Sequence, residues 1–330
     1  MSLRSNTLTA AMMLALVQVG VASADAAELL SAHLAQNLSP ISGVVLVAEK
    51  EGFFTKHGLD IAVSNFTSGK QCLDTMMGGA ADIATTAETP FTAAMLADQP
   101  VAFLARMEYS DDNMLAAAAA HIDNWTDLKG KRIAFTAGTG SEITTDMILA
   151  KAKLTQADVT LVNLRPQDMA SALASNSIDA YDTWEPHIYD GEKALGDKVK
   201  ELSAAGIYSE TFNIAVTQSY LKTHETLIEN FLAAMIDAES WMKAHPKMAV
   251  ADVADMVGMK PTDLTPIWDK YVYHVALDQK QIDILTLNST WRLKSGNHPV
   301  GATTLPDLNK FVFPGPLRAV APDRVTISSR

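Results

Sequence analysis

An α/β protein built as two similar lobes is what this sequence predicts, on three observations. Strand-like and helix-like segments alternate along most of the chain, at a spacing that argues for mostly parallel sheets with helices on both faces. Two distant segments repeat one pattern: Asp82-Ile83-Ala84-Thr85-Thr86-Ala87-Glu88-Thr89-Pro90 and Asp179-Ala180-Tyr181-Asp182-Thr183-Trp184-Glu185-Pro186. Each reads as Asp, a strand, Thr-x-Glu and a nearby Pro. Finally, 330 residues with 48% hydrophobic letters suffice for one large domain or two smaller ones.

The elements follow in order. Residues 29–35 are apolar and strand-length, and Asn37-Leu38-Ser39-Pro40 breaks them before a helical stretch over 41–50. Gly52 and Gly58 bracket a turn, and 59–66 alternate as a second strand. Ser68-Gly69 opens a helix carrying Cys72, Leu73 and Met76-Met77 inward, stopped at Gly78-Gly79. A strand over 81–86, a helix, and a strand over 101–108 complete the first series. The second series predicts strands over 114–122, 132–136, 159–164 and 178–183, with helices over 142–153 and 166–175. The segment 212–217 reads as the return crossing. Helices dominate beyond it: Leu227, Phe231, Met235, Ala238 and Trp241-Met242 recur every three or four residues, as a core-facing helix requires. Further helices are expected around 249–257, 264–273 and 279–293, and the Pro- and Gly-rich tail from Gly296 is expected to wrap the surface.

Residues 1–24 read as a secretory leader: Arg4, an apolar stretch from Leu8 to Val21, then Ala22-Ser23-Ala24 as the small-x-small cleavage pattern. The expected product is secreted and periplasmic. With Lys and Arg at 26 against Asp and Glu at 38, the formal charge is −12, which argues against a nucleic-acid partner. The single cysteine, Cys72, excludes an intramolecular disulfide framework and reads as a buried free thiol.

The repeated Thr-x-Glu pattern places Glu88 and Glu185 just past the carboxyl ends of strands, where open α/β sheets bind ligands. Around them, hydroxyl and Gly residues lead strands into helices: Ser39, Phe66-Thr67-Ser68-Gly69 and Gly138-Thr139-Gly140-Ser141. Helix N-termini of this kind either bind a small anion or are simply capped by Ser and Thr. Likewise, Glu88 and Glu185 either meet a ligand or accept amides at loop ends.

Nothing in the sequence supports catalysis. The histidines do not pair at metal-ligand spacing, with His187 beside Trp184-Glu185-Pro186 the one to watch. There is no Gly-x-Ser-x-Gly elbow, dinucleotide fingerprint or phosphate loop. The expectation is a non-enzyme with neither metal nor cofactor.

Val47-Ala48-Glu49-Lys50-Glu51-Gly52-Phe53-Phe54 followed by Gly58-Leu59-Asp60, then Gly79-Ala80-Ala81-Asp82-Ile83-Ala84, Asp127-Leu128-Lys129-Gly130-Lys131-Arg132-Ile133 and Trp184-Glu185-Pro186-His187, resembles a family. It is that of the periplasmic solute-binding proteins of ABC importers, in the nitrate, sulfonate and taurine group. The resemblance implies a type II periplasmic-binding-protein architecture with two crossover strands. Its first lobe would comprise 25–108 plus 214–330, its second 109–213. It further implies ligand contacts at Ser39, Pro40, Phe66, Ser68, Glu88 and Thr89 in one lobe. In the other they fall at Thr139, Gly140, Ser141, Glu142, Trp184 and Glu185. The implied partners are a small molecule and a membrane permease, with the capture protein itself a monomer. Up to three carboxylates near one cleft disfavour a bare anion, so the expected ligand is an amino-sulfonate or other zwitterion, or an uncharged amine or pyrimidine. A pyrimidine-related enzyme or a sensor domain on the same fold is the alternative.

Overall fold

The computed structural model describes residues 28–327; the leader expected over 1–24 lies outside the described residues. Two sheets organise the chain. The first contains β1 (Leu30–Asn37), β2 (Leu59–Phe66), β3 (Ile83–Ala87), β4 (Val101–Ser110), β10 (Glu210–Thr217), β11 (Val272–Asp278) and β12 (Val325–Thr326), ordered β12-β11-β4-β10-β3-β1-β2. The second contains β5 (Asn113–Ala117), β6 (Arg132–Phe135), β7 (Thr160–Asn163), β8 (Ala180–Thr183) and β9 (Val199–Ser203), ordered β7-β6-β8-β5-β9.

Both sheets are mixed, where the sequence leads one to expect mostly parallel pairing. Strands joined through helices run parallel: β1 with β2 and β3, and β6 with β7 and β8. The strands that carry the chain between sheets pair antiparallel. β4 passes through Asp111-Asp112 straight into β5, and β10 returns beside β4 with Glu210 opposite Ser110. The two crossings therefore lie side by side.

The first sheet packs on a large apolar core containing Leu34, Val44, Leu46, Phe91, Phe103 and Phe231. Helix Glu225–Ala244 contributes its expected stripe, with Leu227, Phe231, Met235, Ala238 and Met242 buried. Phe231 stacks on Phe54 with ring centroids 5.0 Å apart. Two smaller clusters lie about the second sheet, one around Met114, Ile133 and Ile148, the other around Leu115, Met169 and Tyr181.

Three local expectations change. The helix expected over 264–273 is a short helix Pro261–Leu264, a tight 3-10 turn Thr265–Lys270, and then β11. Pro266 interrupts the helical ladder, and the aromatic and β-branched run Tyr271-Val272-Tyr273-His274-Val275 suits a strand beside β4. The strand expected over 114–122 stops at Ala117, because the chain turns through Ala118–Ala120 to His121 in the left-handed region (φ 51°). β9 was hidden by its charged letters, Lys200 and Glu201, which suit the exposed edge it occupies.

Candidate functional site

At the carboxyl ends of the inner strands, the two sheets face each other across a narrow cavity. Asn37, Ile41, Ser68, Gly69, Lys70, Ala87 and Pro90 line it from the first sheet, and Thr139 and Trp184 from the second. Glu210 and Phe212, on the returning strand, also line it. The cavity measures about 20 Å³, room for about one water. A hollow of about 380 Å³ lies elsewhere, between helix Gln279–Ser295 and the 305–314 segment. Its walls belong to the first sheet's side alone, and its one carboxylate, Asp307, caps Asn309 at 3.1 Å. Another hollow of about 340 Å³ is lined from both sheets by Tyr109, Ser110 and Val272 against Asn113, Glu201 and Ser203, but the ends of β1, β3 and β8 have no part in its wall; the cavity at those inner strand ends is the candidate site.

Two helices begin at this cavity. Gly69–Met77 is capped by Ser68, whose Oγ accepts from the Gln71 amide (3.3 Å). Gly140–Lys151 starts after Thr139 without a side-chain cap. Gly69 is obligatory for packing, since a Cβ there meets the Ala87 nitrogen and Phe212 ring at 2.9 Å.

Of the twelve residues expected to contact ligand, Ser68, Thr139 and Trp184 line the cavity, and Gly140 lies against Glu210. The others sit nearby, engaged mainly with the protein. The Pro40 carbonyl accepts from Tyr273 Oη (2.6 Å), Ser39 Oγ is buried without a partner, and Phe66 is half-buried against the core. Ser141 Oγ accepts from the Thr136 amide and donates to the Asp182 carbonyl (3.0 and 2.7 Å). Glu142 accepts from the Gly138 amide at 2.7 Å.

Glu88 and Glu185 do stand just beyond β3 and β8, as the repeated pattern requires, but both carboxylates serve as internal anchors. Tyr208 Oη and Thr89 Oγ1 donate to one oxygen of Glu88, and the Thr211 amide and hydroxyl donate to the other. Asn288 extends this network by donating to Thr89 Oγ1 and Tyr208 Oη. Glu185 accepts from Lys270 Nζ at 2.5 Å and from the Tyr189 amide at 3.0 Å. The Glu185–Lys270 pair joins the end of β8 to the start of β11, one sheet to the other. Lys193–Asp263 (2.6 Å) and Trp291 Nε1–Asp146 (2.9 Å) are further ties of this kind. His187 is half-buried, and the desolvation of its ring pulls the imidazole down to about 4. Among the described residues, no three His, Cys, Asp or Glu side chains are grouped to hold a metal.

The carboxylates that sequence reasoning misses are the more telling ones. Glu108, Asp112, Asp182 and Glu210 are all buried, and each has at least one oxygen without a hydrogen-bond partner. Asp112 and Glu210 converge where the two crossings meet, Glu210 Oε1 lying 3.0 Å and Asp112 Oδ2 3.1 Å from where a Cβ on Gly140 would stand. Burial, then the Glu88 charge, pushes Asp112 up to about 7. Burial followed by Asp112, Glu88 and Glu108 holds Glu210 well above the ordinary range. Burial likewise raises Glu108 and Asp182. The buried cation nearby, Arg106, is committed to a bidentate pair with Asp278 (2.8 and 3.0 Å).

Two mixed α/β sheets joined by adjacent crossings, with a cavity at their strand ends, form the fold of the periplasmic binding proteins. The chain belongs to the NMT1/THI5-like family, whose model matches residues 40–249. It is 26% identical over 231 residues to a Bacillus subtilis (strain 168) protein with the provisional name aliphatic sulfonates-binding protein, covering 67% of this chain and 68% of that one. The crystal structure of the periplasmic aliphatic sulphonate binding protein SsuA from Escherichia coli superposes with a TM-score of 0.75 at 18% identity, covering 86% of this chain and 92% of SsuA. The desulfurization enzyme DSZB shares the fold at a TM-score of 0.65 and 16% identity, covering 88% of this chain and 99% of the enzyme.

Proposed function

We propose that this protein is a periplasmic capture protein that closes two lobes, residues 25–108 with 214–330 and residues 109–213, on a small zwitterionic solute and delivers it to the permease of an ABC importer. The observation that carries this reading is a cavity at the carboxyl ends of the inner strands, lined from both sheets and from the returning crossing. A solute seated there makes contacts that exist only when the sheets are together, so binding and closure are one equilibrium. The relatives named for binding sulfonates support an anionic group on the solute. Here that group faces the N-termini of helices Gly69–Met77 and Gly140–Lys151 and the ammonium of Lys70 at the rim. The carboxylate of Glu210 in the same cavity favours a cationic end, an amino-sulfonate being the simplest such molecule.

A second reading, an enzyme, is favoured only by the shared fold of DSZB. The cavity lining offers it little: no cysteine, histidine or lone serine–base pair stands in it, and Cys72 lies buried in the core with its thiol pushed up to about 12. Native mass spectrometry of the purified protein, followed by incubation with the recovered compound, separates the two readings. Capture requires one compound per chain, released unchanged on denaturation. Conversion of that compound to a product by catalytic amounts of protein refutes it.

A further inference from the structure

Building on that capture reading, we propose that Glu210 receives the cationic end of the solute, and that this end displaces a proton held between Glu210 and Asp112, so that capture releases a proton.

The geometry puts Glu210 in this role rather than Glu88 or Glu185, whose oxygens already hold internal donors. Glu210 lines the cavity, is 4% exposed, and keeps Oε2 without a partner. An acceptor so buried and unmatched is costly, and a protonated nitrogen in the cavity supplies what it lacks. Asp112 stands behind it, fully buried, with Oδ1 unpartnered and Oδ2 accepting from Thr144 (3.3 Å). A Cβ on Gly140 would lie 3.0 Å from Glu210 Oε1 and 3.1 Å from Asp112 Oδ2, so both carboxyls close over the glycine that starts the second lobe's helix. Two buried carboxyls brought this close together hold a proton between them in preference to both ionising.

Other charged groups around the pair are nearly all acidic. Glu88 and Glu108 face it from the first sheet, Asp111 from the crossing and Asp182 from β8. Arg106 is paired with Asp278, and Lys70, at the rim, pairs with Asp74 (2.6 Å). The pair thus carries one negative charge while it holds its proton. When an ammonium arrives and the proton leaves to solvent, two negative charges face one positive, and the net charge of the site is again minus one.

The test is calorimetric titration of the full mature protein at pH 7 in phosphate and in Tris, whose ionisation enthalpies differ. The probes are taurine against ethanesulfonate, and 4-aminobutyrate against butyrate. The amine-bearing member of a pair is expected to bind about tenfold more tightly or better. Its apparent enthalpy is expected to differ between buffers by the equivalent of about one released proton, with affinity rising from pH 6 to pH 8. Glu210→Gln is expected to lose the amine preference and the buffer dependence together. Asp112→Asn keeps Glu210 but removes the shared proton, so the amine preference stays and the buffer dependence goes. Because each variant is read against its own thermal unfolding curve, failure to fold in one leaves the other, and the wild-type buffer comparison, to decide. If an acid binds as tightly as its amine-bearing counterpart, or amine binding releases no proton, capture stands and this inference falls. If none of the four compounds binds, this inference falls, and the native mass spectrometry above decides capture.

Discussion

Lys270→Met tests whether Glu185 is an anchor between sheets or a ligand contact. Glu185 is 2% exposed, and Lys270 Nζ is its cationic partner, with the Tyr189 amide on the other oxygen. Removing one partner of a buried pair costs about 3–5 kcal/mol. Lys270 is itself 36% exposed, so water partly replaces it and about 2 kcal/mol is the working figure. At this chain size that corresponds to a fall of about 3 °C in Tm. Burial already raises Glu185, with Lys270 holding it back; without the lysine it rises further. A carboxyl whose folded pKa exceeds its unfolded one costs stability as pH rises through that interval, and the cost is relieved as the group protonates on acidification. The variant's deficit is therefore largest at pH 7.5 and shrinks towards pH 5. Lys193→Met is the control: its pair with Asp263 has a lysine that is 51% exposed, and the loss there stays under about 1 kcal/mol. Scanning calorimetry of the three proteins at both pH values reads this directly. A Tm fall below about 1 °C at pH 7.5, or one equal at both pH values, refutes the anchoring role.

Three more outcomes follow from the buried groups. Glu108, Asp112, Asp182 and Glu210 are all raised above their ordinary values by burial, Asp112 to about 7. The folded protein thus holds protons that the unfolded chain has released, and urea unfolding is expected to give higher stability at pH 6 than at pH 8; the opposite order contradicts the burial of these acids. Gly140→Ala places a methyl 2.9 Å from Glu210 Cδ. It is expected to cost about 1–3 kcal/mol in urea unfolding, and an unchanged midpoint argues against the close approach. Cys72 is fully buried, donating to the Ser68 carbonyl at 3.4 Å, with its thiol pushed up to about 12. A thiol reagent at pH 8 is expected to label it only after denaturant is added, and rapid labelling of the native protein counts against this placement.

Much of the fold is legible because its signals are local. The alternation of residues 59–66 is the strand β2, and the stripe from Leu227 to Met242 is the buried face of one helix. β9 and β11 escape because what defines them is an edge offered by β5 or β4, not their own letters. The site is less legible for a related reason. Ser68, Thr139 and Trp184 can be placed at strand ends from neighbouring residues alone. Glu210 acquires its meaning only when the return crossing brings it against Asp112, and nothing in Ser209-Glu210-Thr211 signals a buried acid. The repeated Thr-x-Glu pattern does mark equivalent places in the two sheets. Its glutamates fix the loops that form the cavity walls, and sequence alone cannot tell an anchored carboxylate from an available one.

The distribution of partners explains why the acids sit where they do. At the strand ends, Glu88 and Glu185 are each met by several donors, and such carboxylates hold loops in place. At the crossings, Glu108, Asp112 and Glu210 lack full complements of donors, on the two strands that carry the chain between the sheets. Like charges kept close in a dry environment repel, and a shared proton between Asp112 and Glu210 relieves part of that strain. Under the proposed capture cycle, parting the sheets would let water reach these groups, so raising the pH or removing the proton would favour the open form. A cation in the cavity does the reverse. Closure then depends on a charge that the chain itself does not provide, and a bare anion, however well it fits the helix N-termini, leaves that repulsion in place.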